Sequence, residues 1–283
     1  MKQKRCLTIQ DYSCMGRCSL TVALPILSAC GVEAVGLPTA VLSNHTAFAS
    51  WTYCDLSSYM IESVEKWADY NHHFDCIYTG YLGTEQIKSV ISIINYLREK
   101  DTMVMVDPAF ADNGNMYPGF EVNHINEMRK LIAESDMICP NLTEAALIAG
   151  VEYQGEEYDK NYINSLLEKL AALGPKIILL TGVVLENNSI GCIIYDKEKD
   201  TTEIYRTECY PGKYHGAGDS FCSAFVGAYL RGISLYDSVK IAHDFVHRAM
   251  GVDVENGIDG IQYGLQFETV LPDLIDDLRN KTK

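Results

Sequence analysis

Apolar residues recur along the chain in two rhythms. Short unbroken runs at residues 6–9, 76–79, 103–106, 137–139 and 177–181 have the length and composition of buried strands. Between them lie longer segments whose apolar positions return every three or four residues, as on a helix with one buried face. Residues 19–30 and 163–173 show this spacing, as do the stripes Ile87, Val90, Ile91, Ile94, Leu97 and Ile125, Met128, Leu131, Ile132. Asp55 stands as the cap of another helix, with Leu56, Met60, Val64 and Trp67 on its apolar face. Residues 32–42 read as extended with an interruption at Pro38, and residues 190–195 with 202–205 as a hairpin. Two or three helices close the chain, the last around residues 271–278. Strands alternating with helices of this length predict an α/β fold. It is one domain over residues 1–283, with a central, mainly parallel β-sheet flanked by helices on both faces.

Composition adds little to this picture, and charge adds more. With 47% hydrophobic and 22% charged residues, the 283-residue chain has the make-up of a globular enzyme rather than a disordered one. A net charge of −15 argues against nucleic acid or an anionic membrane as partner. An anionic substrate must then be held by backbone amides or a metal ion. The basic start, Met1 to Arg5, is followed by an apolar stretch broken at Gln10, Asp11 and Arg17, which is not a secretory pattern, and no run approaches a membrane span. The ten cysteines are therefore expected to be reduced, in a cytoplasmic protein. Cys14 and Cys18 lack the second pair that a zinc site needs, so buried, inert thiols are expected. The stretch from Tyr70 to His73 reads as a solvated helix end rather than a metal site.

The candidate chemistry centres on Gly216-Ala217-Gly218-Asp219, directly before a helical run containing Phe221, Ala224, Phe225 and Ala228. A small-residue turn at a helix start leaves backbone N–H groups pointing outward, and they favour an anion. Asp219 there admits two readings. It caps the helix, or it takes a proton from a hydroxyl while a transferred phosphoryl group rests on the amides. In parallel α/β sheets ligands bind at the carboxyl ends of the strands. Those ends carry Gln10-Asp11, Thr79-Gly80-Tyr81, Asp107-Pro108, Pro140-Asn141 and Thr181-Gly182, which strengthens the second reading. Asn141 and Glu144 also have the spacing of a capping box.

Taken in order, these segments resemble the ribokinase superfamily, and within it the pyridoxal kinase family. The resemblance runs from about residue 6 to residue 250. It rests on Ser43-Asn44-His45-Thr46, Thr79-Gly80-Tyr81, Val106-Asp107-Pro108 with Asp112, Pro140-Asn141-Leu142-Thr143-Glu144, Leu180-Thr181-Gly182 and Gly216-Ala217-Gly218-Asp219. It implies a ribokinase-like kinase that moves a phosphoryl group from ATP to the 5′-hydroxymethyl group of a vitamin B6 vitamer. Asp219 is then the base and the amides of Gly216, Ala217 and Gly218 the phosphoryl cradle. Asp11, Ser43, His45, Thr46 and Tyr81 line the acceptor pocket. Asp107, Asn141, Thr181, Gly216 and Gly218 serve ATP, while Asp112, Glu144 and Asp107 serve Mg²⁺. Asp107 and Thr181 lie near the phosphates and a monovalent cation such as K⁺. A homodimer covering the edge near residues 43–56, with Phe48, Trp51 and Tyr53 as apolar candidates, belongs to the same expectation.

Two positions depart from the family pattern. Ala217 stands where a threonine is common, which leaves the amides intact. Asp11 stands where a serine is common. A carboxylate there pairs with a cationic group and favours pyridoxamine over pyridoxal; the opening Ile-Gln-Asp with a nearby Cys-Ser resembles a subgroup labelled pyridoxamine kinase. The competing expectations are a hydroxymethylpyrimidine kinase, whose acceptor is also a hydroxymethyl group, and a vitamer-binding protein without turnover.

Overall fold

Side chains along the strands alternate between two separate cores, one on each face of a single sheet. The structure is a computed structural model and describes all residues except 1, 69, 71, 156, 187–188, 213, 258–262 and 282–283. In chain order the elements are β1 (Arg5–Ser13), α1 (Leu20–Ala29), β2 (Glu33–Leu42), β3 (Tyr53–Asp55), α2 (Ser57–Ala68), β4 (Cys76–Thr79) and α3 (Gln86–Leu97). Then come β5 (Met103–Val106), β6 (Ala111–Asp112), β7 (Asn115–Met116), α4 (Val122–Ala133), β8 (Met137–Ile138), α5 (Leu142–Ala149) and α6 (Lys160–Ala172). The chain ends with β9 (Ile177–Glu186), β10 (Ser189–Asp196), β11 (Thr201–Glu208), α7 (Ala217–Leu230), α8 (Leu235–Glu255) and α9 (Leu271–Lys281).

The nine-stranded sheet has the order β11-β10-β9-β8-β5-β4-β1-β2-β3. It is parallel from β9 to β2 and antiparallel at its margins. Leu7, Ile77, Val104, Val106, Ile178 and Leu180 pack on the side of α2 to α6. Their strand neighbours Cys6, Cys76, Tyr78, Met105 and Leu179 pack on the side of α1, α7, α8 and α9. Burial on both faces is what lets these strands read as unbroken apolar runs. Each large side chain so buried contributes about 1.5–3 kcal/mol.

The structure differs from the sequence expectation at several boundaries. β1 runs on to Ser13, because β2 continues beside it; Thr39 and Ala40 of β2 together face the single Asp11 across a register shift. Such an irregularity re-aims side chains beside a site. Pro38 does not interrupt β2. β3 pairs only with Ala40 to Leu42, so the strand at Pro38 is paired on one side, where proline is tolerated. Asp55 ends β3 and still fastens the start of α2, accepting from Ser57 N (3.2 Å) and Ser57 Oγ (2.8 Å). The small β6–β7 hairpin was not expected, and β9 is twice the anticipated length. The carboxyl ends of β1, β4, β5, β8 and β9 lie along one edge, and Asn141 and Thr181 extend the sheet there by a further bridge.

Candidate active site

A cavity of about 690 Å³ opens at that edge. Asp11, His45, Thr46, Tyr81, Asp107, Asp112, Asn141, Glu144, Thr181, Gly216, Ala217, Gly218 and Asp219 all line it. Of the candidate site residues, Ser43 alone stands outside the lining. Its hydroxyl donates to Asn44 Oδ1 (2.7 Å) and accepts from Thr52 N (2.9 Å), which closes the loop that carries His45.

Asp219 lies in the first turn of α7 but does not cap it. The cap position is Gly216, which has no side chain to offer. Gly216 has φ 74°, and a Cβ there would fall 2.0 Å from the Arg17 carbonyl oxygen, so both backbone and space demand glycine. The Asp219 carboxylate reaches across to α1, where Oδ2 accepts from the Ser19 amide at 2.9 Å. Burial pushes Asp219 up to about 6, with the nearby Asp11 charge adding to it and the Ser19 amide opposing it. The carboxylate still keeps part of its surface open to the cavity.

The capping box at α5 is made in full. Asn141 Oδ1 accepts from Glu144 N, and Glu144 Oε2 accepts from Asn141 N, both at 3.0 Å. Glu144 goes further: Oε1 accepts from Phe110 N (2.9 Å) and Ala111 N (3.4 Å), while Asn141 Nδ2 donates to Ala111 O (2.8 Å). Thr143 Oγ1 accepts from Gly114 N (2.9 Å). The first turn of α5 therefore holds the β6–β7 hairpin, which presents the exposed Asp112 to the cavity. Burial raises Glu144 to about 7 against these three amides, and Asp112 raises it further. Asp107 is also held well above the carboxylate range, by burial and then by Glu144 and Asp219.

At the other end of the cavity Asp11 is 3% exposed, and its Oδ2 accepts from Ser13 Oγ at 2.8 Å. Burial raises it, and the hydroxyls of Ser19 and Ser13 oppose that rise. The Tyr81 ring packs on Phe120 at 5.3 Å. His45 accepts from Ala47 N through Nδ1 (3.2 Å), and its ring is 5.4 Å from that of His215.

Sequence reasoning missed Ser13, Ser19, Tyr117, His215 and a further wall, where His243, Val246, His247 and Met250 of α8 line the cavity together with Phe221. The α8 residues repeat at helical spacing, the one signal that marked them, but that spacing is also the spacing of core. Among the described residues no lysine or arginine lines the cavity, whereas Asp11, Asp107, Asp112, Glu144 and Asp219 all do.

Among the described residues no group of three or more His, Cys, Asp or Glu has the arrangement of a metal site, in the cavity or outside it. Cys14 is exposed and Cys18 lines the cavity, which corrects the expectation that both are buried. In the 70–73 stretch Tyr70 is exposed and His73 meets Glu99 (2.9 Å); Asn71 lies outside the described residues.

With this geometry in hand, comparison with known proteins is decisive. The sequence profile of the phosphomethylpyrimidine kinase family matches residues 24–262. The chain belongs to the phosphomethylpyrimidine kinase family. Among solved structures it is similar to a Bacteroides thetaiotaomicron protein, provisionally described as a phosphomethylpyrimidine kinase and crystallised in a form with pyridoxal. That protein is 33% identical with a TM-score of 0.92, over 96% of each chain. The chain is also similar to the pyridoxal kinase of Lactobacillus plantarum, with 28% identity and a TM-score of 0.87 over 96% of this chain and 97% of that one. The pyridoxal kinase PdxY of Pasteurella multocida is 28% identical over 264 residues, 88% of this chain and 89% of the relative. The single α/β domain with a mostly parallel sheet, expected from the sequence, is the fold of these kinases. Among the described residues no helix is long and apolar enough to cross a membrane.

Proposed function

We propose that the protein phosphorylates the 5′-hydroxymethyl group of a vitamin B6 vitamer with ATP. The observation that carries this is the placement of Asp219. One oxygen is tied to Ser19, the carboxylate opens onto the cavity, and the α7 amides lie beside it. In the reaction the acceptor hydroxyl gives its proton to Asp219. Its oxygen bonds to the γ-phosphorus, and the bond to the β–γ bridging oxygen breaks with its electron pair leaving on ADP. The amides from Gly216 to Asp219 hold the migrating oxygens. Asn141 and Thr181 stand where the strand ends meet the nucleotide phosphates, and the α8 wall with Phe221 takes the base. Asp11, His45, Thr46 and Tyr81 surround the acceptor ring.

The cluster of Asp107, Asp112 and Glu144 lies in a cavity without described basic side chains. There burial raises Asp107 and Glu144, and Glu144 adds to the rise of Asp107 as Asp112 adds to that of Glu144, a setting that suits Mg²⁺ carried in with the polyphosphate. The ion's chemistry is neutralisation of phosphate charge. Asp112 is exposed but accepts from Asn113 N (2.9 Å) and Asn113 Nδ2 (2.7 Å), Asp107 accepts from the Ala109 amide and the Cys222 thiol, and Glu144 accepts from three amides, so all three fit contacts through the ion's water shell. K⁺ near Asp107 and Thr181 belongs to the same reading, as does a cytoplasmic location with reduced thiols. A homodimer would cover the β3 edge, where Trp51 (38%) and Tyr53 (53%) are exposed.

The pyridoxal kinases among the relatives, and pyridoxal in the Bacteroides form, favour a B6 acceptor. The family's own description names a pyrimidine acceptor, phosphomethylpyrimidine. An ADP-release assay with pyridoxal, pyridoxamine, pyridoxine, hydroxymethylpyrimidine and phosphomethylpyrimidine decides between them. Turnover with a vitamer at the highest kcat/KM is expected. Turnover with a pyrimidine alone would replace this reading, and vitamer binding with no turnover would make the protein a sequestering one.

A further inference from the structure

We infer that Ser19 is a positioning residue that fixes which oxygen of Asp219 receives the acceptor's proton, an inference that rests on the kinase reading above. Ser19 occupies the cap position of α1, yet its side chain makes no capping bond. Its backbone lies at φ 51°, ψ −132°, a region costly for any residue but glycine. Strain of this kind persists only where the surroundings impose it. Here the Ser19 carbonyl accepts from Val22 N (3.0 Å) and Ala23 N (2.9 Å), while its hydroxyl interacts with Asp11. The preceding residue but one is pinned as well. Arg17 N donates to Tyr263 O (3.0 Å), Arg17 Nε meets Glu268 (2.7 Å), and the Arg17 carbonyl is pressed against Gly216.

The strained conformation aims the Ser19 N–H at Asp219 Oδ2. A rotation to negative φ would turn that N–H away. With Oδ2 occupied, and no second hydrogen bond to this carboxylate among the described residues, Oδ1 is the oxygen left for the proton. Ser19 thus links the base to the acceptor-side carboxylate, its amide on Asp219 and its hydroxyl facing Asp11.

The test compares Ser19→Gly, Ser19→Ala and both changes in an Asp219→Asn background. Glycine adopts the same backbone without strain and keeps the N–H; alanine keeps the Cβ strain but loses the hydroxyl that holds it. Expected are a kcat for Ser19→Gly within about threefold of wild type and a loss of roughly 10- to 100-fold for Ser19→Ala, with KM for ATP unchanged. In the Asp219→Asn background Ser19→Ala should cost nothing further, since its effect passes through Asp219. Circular dichroism and thermal melting report the folded fraction, and Ser19→Gly should melt no lower than wild type. Three results would each overturn the inference: wild-type kcat per folded Ser19→Ala molecule, a Ser19→Gly variant as slow as Ser19→Ala, or an undiminished Ser19→Ala effect in the Asp219→Asn background. Unchanged turnover in Asp219→Asn alone would instead overturn the kinase reading.

Discussion

At Asp219, burial and the Asp11 charge raise the carboxyl while the Ser19 amide lowers it, leaving it at about 6. A base must be ionised, so kcat/KM should fall tenfold per pH unit below about 6 and level off above it. A profile flat from pH 5 to 7 would remove Asp219 from proton transfer. Asp219→Asn should lower kcat roughly 10²- to 10⁴-fold with ATP affinity little changed. Asp11 poses a separate question. In the structure it lies inside β1, buried, on the cavity wall. A charge-assisted hydrogen bond from a substrate ammonium is worth roughly 1.5–3 kcal/mol, or one to two decades. Asp11→Ser should therefore lower kcat/KM for pyridoxamine by that factor and leave pyridoxal nearly unchanged. An unaltered ratio of the two vitamers would take Asp11 out of specificity.

The turn opening α5 shows how a motif legible as local spacing can serve two ends. Pro140-Asn141-Leu142-Thr143-Glu144 reads in sequence either as a cap or as a metal segment, and the structure makes the cap while placing Glu144 on the cavity wall. Replacing it with glutamine puts a donor where three amides need an acceptor. Glu144→Gln should cost about 1–3 kcal/mol in stability and raise the Mg²⁺ concentration for half-maximal rate. If the melting temperature falls while the Mg²⁺ titration overlays wild type, Glu144 is a fastener of the β6–β7 hairpin only. The buried strands were legible because alternation between two cores leaves few polar positions in them. Polar ends were not. Gln10 to Ser13 belongs to β1 only through its pairing with β2, and the β6–β7 hairpin exists because Glu144, Asn141 and Thr143, distant in sequence, hold it. Nor could spacing reveal that Ser19 sits at positive φ, since the cause lies in Arg17, Tyr263 and Asp219.

Across the whole molecule the cavity carboxylates set how stability responds to pH. Asp11, Asp107, Glu144 and Asp219 all have raised values in the folded state, Glu144 to about 7 and Asp219 to about 6. Between the ordinary carboxylate range near 4 and these values the folded chain binds protons that the unfolded chain has released. Stability must then rise as pH falls through that window. The lowered carboxylates Asp55, Asp75, Glu127, Asp196 and Asp237 act in the opposite sense. They are lowered by local hydrogen bonds, and their contribution is lost only as pH drops below the ordinary range. The ligand-free protein should consequently melt higher at pH 5.5 than at pH 7.5, by an amount on the order of 1–3 kcal/mol in stability. Mg²⁺ with a non-hydrolysable ATP analogue supplies positive charge to the same cluster when bound. It should raise the melting temperature more at pH 7.5 than at pH 5.5, and so shrink the difference between them. Calorimetry at the two pH values, with and without Mg²⁺ and nucleotide, measures both effects. A ligand-free protein that loses stability on this mild acidification would show that burial and mutual charge do not raise these carboxyls. The case for a cation among Asp107, Asp112 and Glu144 would then lose its electrostatic ground.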